Sequence, residues 1–371
     1  MKKALKILPI ILLAALFAVS LRLLLPSASK NSSPAETLLP SQEPPQVQTS
    51  YDPYASQQPG NNTPEPVNYE IDYFAIPQAI MPKITEADKA AYKAAVDAYF
   101  NYETEAEFSA DGNIQSLKHL LDLCCPIFYN DVDEASVRIG GNRISWEYSV
   151  SESEHNENIA AFESIINEYL NYADAADNDT AKALLLYKLF CTKAQYDHPT
   201  EDYLKGKAPR PEKMRDKCID IFLSGSGICQ CFARGYAFLL NQSGIEAFTA
   251  GADGGVGHHE WTVLKLGGKW YYADPTWDRG GKKLNYFGMT AARRAADGYK
   301  LKNTRYFAGG DFPIEGDFTI DDTRFKPLYT GKCSGDAYEI DVRNNLILIY
   351  RQDITGRLQQ YGPGTFYINA G

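Results

Sequence analysis

Residues 225–238, GSGICQCFARGYAF, place two cysteines one residue apart, directly after a Gly-Ser-Gly turn. If Ser226 caps the helix that follows, Cys229 lies in the first turn of that helix. Cys231 lies two residues further on, about 200° around the helix axis. The two sulfurs therefore point apart, and we expect neither a shared metal nor a disulfide between them.

A cysteine in the first turn of a helix is well placed to act as a nucleophile. The helix N-terminus carries a partial positive charge and free N–H groups, which lower the pKa of a thiol and can bind an oxyanion. Most free cysteines are small core residues, so position alone leaves both interpretations of Cys229 open. Paired C-x-x-C spacing for zinc is missing from the sequence. No metal or other cofactor is expected; calcium is left open, although no acidic loop has EF-hand spacing.

Two adjacent histidines lie downstream in GVGHHEWTVLKLGGKWYYADPTW, residues 255–277. The pair of glycines in this stretch predicts a hairpin with a two-residue loop. In that register His259 and Asp274 are diagonal neighbours on one face, within reach of each other, whereas His258 lies on the opposite face. Asp278 shares the face of Asp274, but the intervening proline is expected to end regular pairing before it. The hairpin therefore favours a His259–Asp274 pair.

Three short motifs follow one another along the chain: GICQ at 227–230, HEW at 259–261 and WYYADPTW at 270–277. Together they resemble the signature of the transglutaminase-like superfamily. In that family a G-[VI]-C-Q turn opens a helix, and H-x-W and W-Y-x-x-D-P-T-W follow on strands. AQYDHP at 194–199 is similar to a Tyr-Asp segment that often precedes the cysteine helix. The resemblance covers residues 180–290, and its three linked motifs are specific together.

The resemblance implies a papain-like α+β core with a Cys-His-Asp triad. Carried over residue by residue, it implies Cys229 as the nucleophile, His259 as the acid–base and Asp274 as the residue that orients His259. Cys231 stands where the family often has glycine, and Glu260 where a small residue is usual. Neither departure removes a member of the triad.

The chemistry of such a triad is acyl transfer through a thioester at Cys229. The acyl group can pass to water, as in a protease or amidase, or to a lysine amine, as in crosslinking. The sequence does not choose between these outcomes. The backbone N–H of Cys229 is a natural oxyanion donor, and Gln195 and Tyr196 are candidates for a second donor or for substrate binding.

Several further residues have more than one interpretation. Trp261 is a candidate for substrate binding, although tryptophans on such a sheet more often belong to the core. Arg234 is interpreted as a solvated helix charge, and so are Arg293 and Arg294, which are adjacent to each other. The chain has seven cysteines, so six could pair and leave Cys229 free, or none pairs.

The N-terminus is typical of an exported protein. Three lysines precede an apolar run over residues 7–21, and small residues at 27–29 suit a cleavage site. We expect residues 1–28 to be a secretory signal peptide or, if uncleaved, a membrane anchor. Residues 29–68 are rich in Pro, Ser, Gln and Asn, which predicts a disordered linker. The protein is therefore expected to be extracellular, secreted or tethered to the membrane by its N-terminal segment.

The remainder of the chain predicts an α+β fold, with a cysteine-bearing helix packed on an antiparallel sheet. We expect an N-terminal α/β subdomain at 69–175, a catalytic core at 176–310 and a C-terminal β-rich extension at 311–371. One helix is predicted over residues 218–243, with Gly244 as the residue that ends it.

Charge narrows the range of partners. The net charge of −10 argues against nucleic acid and against an anionic membrane surface, because both would be repelled on average. The expected partner is a peptide or protein substrate, including one associated with a cell wall. The expected function is an exported cysteine acyl-transfer enzyme that cleaves or transamidates peptide or protein amides. The alternative is a non-catalytic surface binding or scaffolding module, which a closed cleft over Cys229 would favour.

Overall fold

The computed structural model describes residues 66–109, 114–254, 257–306, 318–330 and 335–368. The predicted signal segment, nearly all of the predicted linker, and Cys333 lie outside these ranges. Within them, none of the helices combines the length and the apolar character that crossing a bilayer requires.

The helices are distributed along the whole of the described chain. They are α1 (Glu86–Phe100), α2 (Leu117–Cys124), α3 (Phe128–Asp131), α4 (Glu152–Ala173), α5 (Asp179–Lys193), α6 (His198–Leu204), α7 (Cys218–Leu223), α8 (Cys229–Gln242), α9 (Ala291–Ala296) and α10 (Lys326–Tyr329). Short 3-10 helices lie at Met81–Lys83, Glu134–Ser136 and Leu301–Asn303.

The strands form four groups. They are β1 (Glu105–Glu107), β2 (Arg138–Gly140), β3 (Arg143–Ser145), β4 (Gln195–Tyr196), β5 (Ser226–Gly227), β6 (Ala247–Gly254), β7 (Gly257–Leu266), β8 (Lys269–Ala273), β9 (Arg305–Tyr306), β10 (Ala337–Asp341), β11 (Leu346–Gln352) and β12 (Leu358–Tyr367). The central sheet has the order β8-β7-β6-β9 and is antiparallel. Two further antiparallel sheets have the orders β1-β3-β2 and β10-β11-β12, and β4 pairs with β5 in parallel.

Helix α8, which begins at Cys229, lies between the central sheet and the helices. It packs on β6 and β7 and also contacts α2, α4, α5 and α7. Gly235 allows this close packing, since a Cβ there would lie 2.8 Å from Ile221 Cγ2 and 3.0 Å from Phe190 Cζ. Gly244, with φ +76°, follows the end of the helix as predicted. The predicted fold class, α+β with the cysteine-bearing helix on an antiparallel sheet, is confirmed.

The hairpin of β7 and β8 has the predicted register. Leu266 pairs with Lys269 across a two-residue loop. Gly267 and Gly268 have φ of +57° and +77°, the left-handed values that a type I′ turn requires at both positions. Regular pairing ends at Ala273, so the following residues leave the sheet.

The prediction of a single helix over residues 218–243 is wrong. The chain instead forms α7 and β5 and then starts a new helix at Cys229. Gly225 has φ +65°, which right-handed helix does not allow, and β5 pairs with β4. Ser226 therefore lies in a strand, and Ile228 precedes α8 without a side-chain cap. Cys229 still lies in the first turn, as its first residue.

One hydrophobic core includes residues from all three predicted parts of the chain, among them Tyr92, Phe190 and Ile347. Polar contacts also join these parts. The buried Lys188 on α5 donates from Nζ to the backbone oxygen of Tyr338 on β10 at 3.0 Å. The division at residues 175 and 310 stays a prediction.

The chain is anchored slightly before the predicted end of the linker. The backbone N–H and C=O of Val67 bond to the side chain of Asn171 on α4, both at 2.8 Å. The ordered part therefore includes the last residues assigned to the linker.

Candidate active site

Three elements bring the predicted triad together. Cys229 opens α8, His259 lies on β7, and Asp274 follows the last residue of β8. His259 Nε2 lies 2.7 Å from Asp274 Oδ2, and both side chains are buried. Cys229, which is partly exposed, lies close enough to His259 to contribute to the raised pKa of the histidine. The histidine therefore lies between a thiol and a carboxylate.

The charges of the site favour a protonated histidine. Burial alone would lower the pKa of His259, but the charge and hydrogen bond of Asp274, followed by Cys229, raise the pKa to about 9. Burial alone would raise the pKa of Asp274, but the charges of His259 and Arg294 hold this pKa below its usual value. At neutral pH the pair is therefore an imidazolium and a carboxylate.

The two ring nitrogens of His259 have different environments. With Asp274 ionised, Nε2 carries a proton and donates it to the carboxylate, which leaves Nδ1 to exchange a proton with Cys229. The indole Nε1 of Trp277 lies 3.2 Å from the same Nε2. Because Nε2 is already protonated, it does not accept from the indole. Trp277, which is 41% exposed, instead contacts the His259–Asp274 bond from the rim of the site.

The neighbouring histidine has a different environment. His258 is exposed, and its Nδ1 lies 3.2 Å from Asp253 Oδ1. The prediction that His259 rather than His258 faces Asp274 is confirmed. The catalytic roles of these residues stay predictions.

Asp278 organises the loop after β8 instead of bonding to His259. Its buried carboxylate accepts hydrogen bonds from the Tyr187 hydroxyl at 2.9 Å and from the backbone N–H groups of Asn285 and Tyr286 at 3.1 and 2.8 Å. Burial raises the pKa of Asp278 to about 7 against the effect of these donors. The proline predicted to separate Asp278 from regular pairing does so.

The oxyanion candidates lie beside the start of α8. Gln195 and Tyr196 form β4 and pair with Ser226 and Gly227, just before Cys229. The side chain of Gln195 is exposed. Burial, followed by the charge of Cys229 and then Glu201, raises the pKa of Tyr196. Both residues are therefore near the cysteine, and their roles stay predictions.

Trp261 does not line the surface of the site. It is fully buried, so this candidate for substrate binding is not placed to contact a substrate. The reason is its position on β7 between Tyr272, at a ring-centroid distance of 5.6 Å, and Tyr299, at 5.4 Å. Trp277, which reaches both solvent and His259, is the tryptophan placed at the rim.

The interpretation of Arg234 and Arg294 as solvated charges is wrong. Both are buried. Arg234 on α8 makes a bidentate pair with Glu260 on β7, at 2.9 and 3.0 Å, and bonds to Asp122 on α2. Arg294 on α9 bonds to Asp274. Arginine is buried only with partners, and these partners are distant in sequence, so local spacing gave no signal of them.

Cys229 differs from the other described cysteines. Those at 124, 125, 191, 218 and 231 are free, fully or almost fully buried, and have pKa values raised by burial. Cys231 also bonds to the backbone oxygen of Arg215 at 3.5 Å. Among the described residues, no group of three or more His, Cys, Asp or Glu side chains is arranged to hold a metal ion.

We expect Cys229 to be the first of the described cysteines alkylated in the folded protein near neutral pH. The reason is its partial exposure and its place beside a protonated histidine, which favours a thiolate. Brief iodoacetamide treatment followed by peptide mapping measures this. Preferential labelling of Cys231, with Cys229 unmodified, would contradict the assignment.

No family model matches the chain, and no curated protein matches it. Several solved structures are similar to it, among them the following three. A TGase is 14% identical with a TM-score of 0.30, over 46% of this chain and 50% of the TGase chain. A proposed cysteine protease from Cytophaga hutchinsonii is 17% identical with a TM-score of 0.24, over 31% of this chain and 37% of its own. A proposed protease from Parabacteroides distasonis is 12% identical with a TM-score of 0.25, over 49% of this chain and 35% of its own.

This chain spans half or less of the length of each of these structures. The resemblance to the transglutaminase-like superfamily therefore rests on the three motifs of the chain itself and on the geometry that they adopt.

Proposed function

We propose that the protein is an exported cysteine enzyme that transfers acyl groups from peptide or protein amides through a thioester at Cys229. The observation that supports this most directly is the position of His259. It bonds to a buried carboxylate at 2.7 Å and lies close to a partly exposed cysteine at a helix N-terminus, which contributes to its raised pKa. Nucleophile, base and orienting group are thus close together.

In the first half of the reaction, the Cys229 thiolate attacks the carbonyl carbon of the amide. The oxyanion that forms lies near the backbone N–H of Cys229, the first residue of α8. The imidazolium of His259 then gives its Nδ1 proton to the departing amine as the C–N bond breaks. The products of this half are a thioester, a free amine and a neutral histidine.

In the second half, water or a primary amine attacks the thioester. Neutral His259 takes the proton of the attacking group, and the Cys229 thiolate leaves. The products are an acid or a new amide, together with the original imidazolium–thiolate pair. Asp274 stays ionised throughout and stabilises the positive imidazole in each half.

The proposed location follows from the N-terminal sequence. A basic segment followed by an apolar run precedes the folded part, which is the pattern of an exported protein. A peptide or protein substrate outside the membrane, including one associated with a cell wall, fits this location. The net charge of −10 does not favour nucleic acid.

The test is to trap the thioester with a panel of peptide amides and to weigh the intact protein. A productive amide should add its acyl mass to the wild-type protein and should add nothing to Cys229→Ala. Hydroxylamine should remove the added mass. Release with and without a lysine-like amine then separates hydrolysis from transfer. An identical adduct on the alanine variant would refute a thioester at Cys229.

The non-catalytic alternative predicts a closed cleft over the cysteine. Cys229 is partly exposed, and Trp277 beside His259 is more exposed still. These observations favour the enzyme.

A further inference from the structure

Arg294 is a buried cation in contact with the proposed triad. It lies on α9, a helix outside the three family motifs, and is fully buried. Its Nη2 donates to Asp274 Oδ2 at 2.7 Å. This is the same oxygen that His259 contacts from Nε2, also at 2.7 Å. One carboxylate oxygen is therefore held by two groups at once.

Two aromatic rings enclose the guanidinium. Its carbon lies 4.4 Å from the centre of the Trp261 ring and 4.3 Å from the centre of the Tyr299 ring. The Tyr299 ring also stacks on His259, with centroids 5.7 Å apart and planes 30° from parallel. Such cation–π contacts fix a guanidinium plane in a site that excludes water.

Charged groups near Arg294 come from its own helix segment and from the central sheet. On its own helix segment, Nη1 lies 3.7 Å from Asp297 Oδ2, and Asp297 also pairs with Arg293. From β7 and the end of β8, the charged groups facing it are His259 and Asp274. Asp274 is therefore the closest counter-charge of this buried arginine.

We propose that Arg294 is a positioning residue of the triad, which holds the Asp274 carboxylate in the orientation that fixes His259 toward Cys229. This inference rests on the proposed function. Without the guanidinium, a buried carboxyl group has one charged partner left and is free to turn about its side-chain bonds. Burial then favours its uncharged form, which no longer stabilises an imidazolium.

The first experiment measures the alkylation rate of Cys229 by iodoacetamide as a function of pH, which needs no substrate. In Arg294→Met we expect the rate near pH 7 to fall about tenfold, toward that of His259→Ala. At alkaline pH, above the pKa of His259, no imidazolium is left to favour the thiolate, so the rates of Arg294→Met and wild type should converge. A merely structural defect would instead change the rate at every pH and expose the other cysteines.

Arg234→Met is the matched control, since Arg234 is also buried and also pairs with carboxylates but does not contact Asp274. It should lower stability and leave the pH profile of Cys229 unchanged. An unchanged profile in Arg294→Met, or faster alkylation near pH 7, would overturn the positioning role. A wild-type profile identical to that of His259→Ala would overturn the proposed function itself, and the positioning role with it.

A second experiment separates charge from packing. Arg294→Ala leaves a gap between two aromatic rings, and added guanidinium at millimolar concentration should restore part of the neutral-pH reactivity. Urea has a similar shape and no charge, so it should restore none. Equal rescue by urea would overturn the role of the charge. If the methionine variant does not fold, Arg294→Lys gives the same test, with an expected fall of about threefold because lysine cannot reproduce the planar fork.

Discussion

His259→Ala should reduce the rate of thioester formation about a thousandfold, whereas His258→Ala should change it little. The two histidines are adjacent in sequence but differ in every relevant contact. His259 is buried, bonds to Asp274 and lies close to Cys229, and its pKa is raised to about 9. His258 is exposed and contacts Asp253. The measurement is the rate at which the acyl mass appears on each variant with the most productive amide of the panel.

The pH dependence gives an independent check on the same pair. A histidine whose pKa is raised is charged below that pKa and loses its proton above it. Near pH 7, where His259 carries its proton, alkylation of Cys229 should therefore be fast in the wild type, and His258→Ala should match it. His259→Ala should be slow there and recover only as the pH rises. Equal losses in two correctly folded variants would mean that the histidine beside the thiol has been misassigned.

Asp274→Asn should keep the fold and cut turnover about a hundredfold, less than the complete loss expected for Cys229→Ala. An asparagine side chain can still bond to the imidazole, but it has no negative charge to stabilise the imidazolium. It also loses the ion pair with Arg294. Steady-state turnover, together with circular dichroism to verify folding, measures the effect.

Asp278→Asn is the comparison for that variant, because Asp278 is equally buried and only four residues away. It accepts two hydrogen bonds from its own loop and one from Tyr187 on α5, and none from His259. We expect a loss of stability with turnover per folded molecule largely preserved. A larger fall in turnover for Asp278→Asn than for Asp274→Asn would exclude the carboxylate assignment.

Some parts of this site could be predicted from sequence because local rules fix them. Two glycines with no other residue between the strands leave one favoured turn, and that turn sets the register from Leu266 and Lys269 back to the strand ends. The faces of His259 and Asp274 follow from the register alone. In the same way, a cysteine at a helix start stays in the first turn whether the helix begins at Ser226 or at Cys229.

Other parts depend on contacts that local rules do not contain. The break before α8 does have a local signal in Gly225, but the strand that follows it is fixed by pairing with β4, which lies about thirty residues earlier in the chain. The burial of Arg294 has no local signal in the sequence. Its partners Asp274, Trp261 and Tyr299 come from different strands and loops. Trp261 shows the reverse case, in which a residue inside a family motif belongs to the core.

Arg234 also determines how far the protein could be shortened. A fragment starting at residue 176 would keep Glu260 but lose Asp122, the second carboxylate around that guanidinium. It would also lose α2 and α4 and so expose part of the surface of α8. Removing one partner of a buried ion pair commonly costs several kcal/mol, a large part of the stability of an ordinary domain. The smallest autonomous folding unit therefore has to extend well upstream of the three motifs, since truncation to the motif-bearing region would remove helices that pack on the helix bearing Cys229.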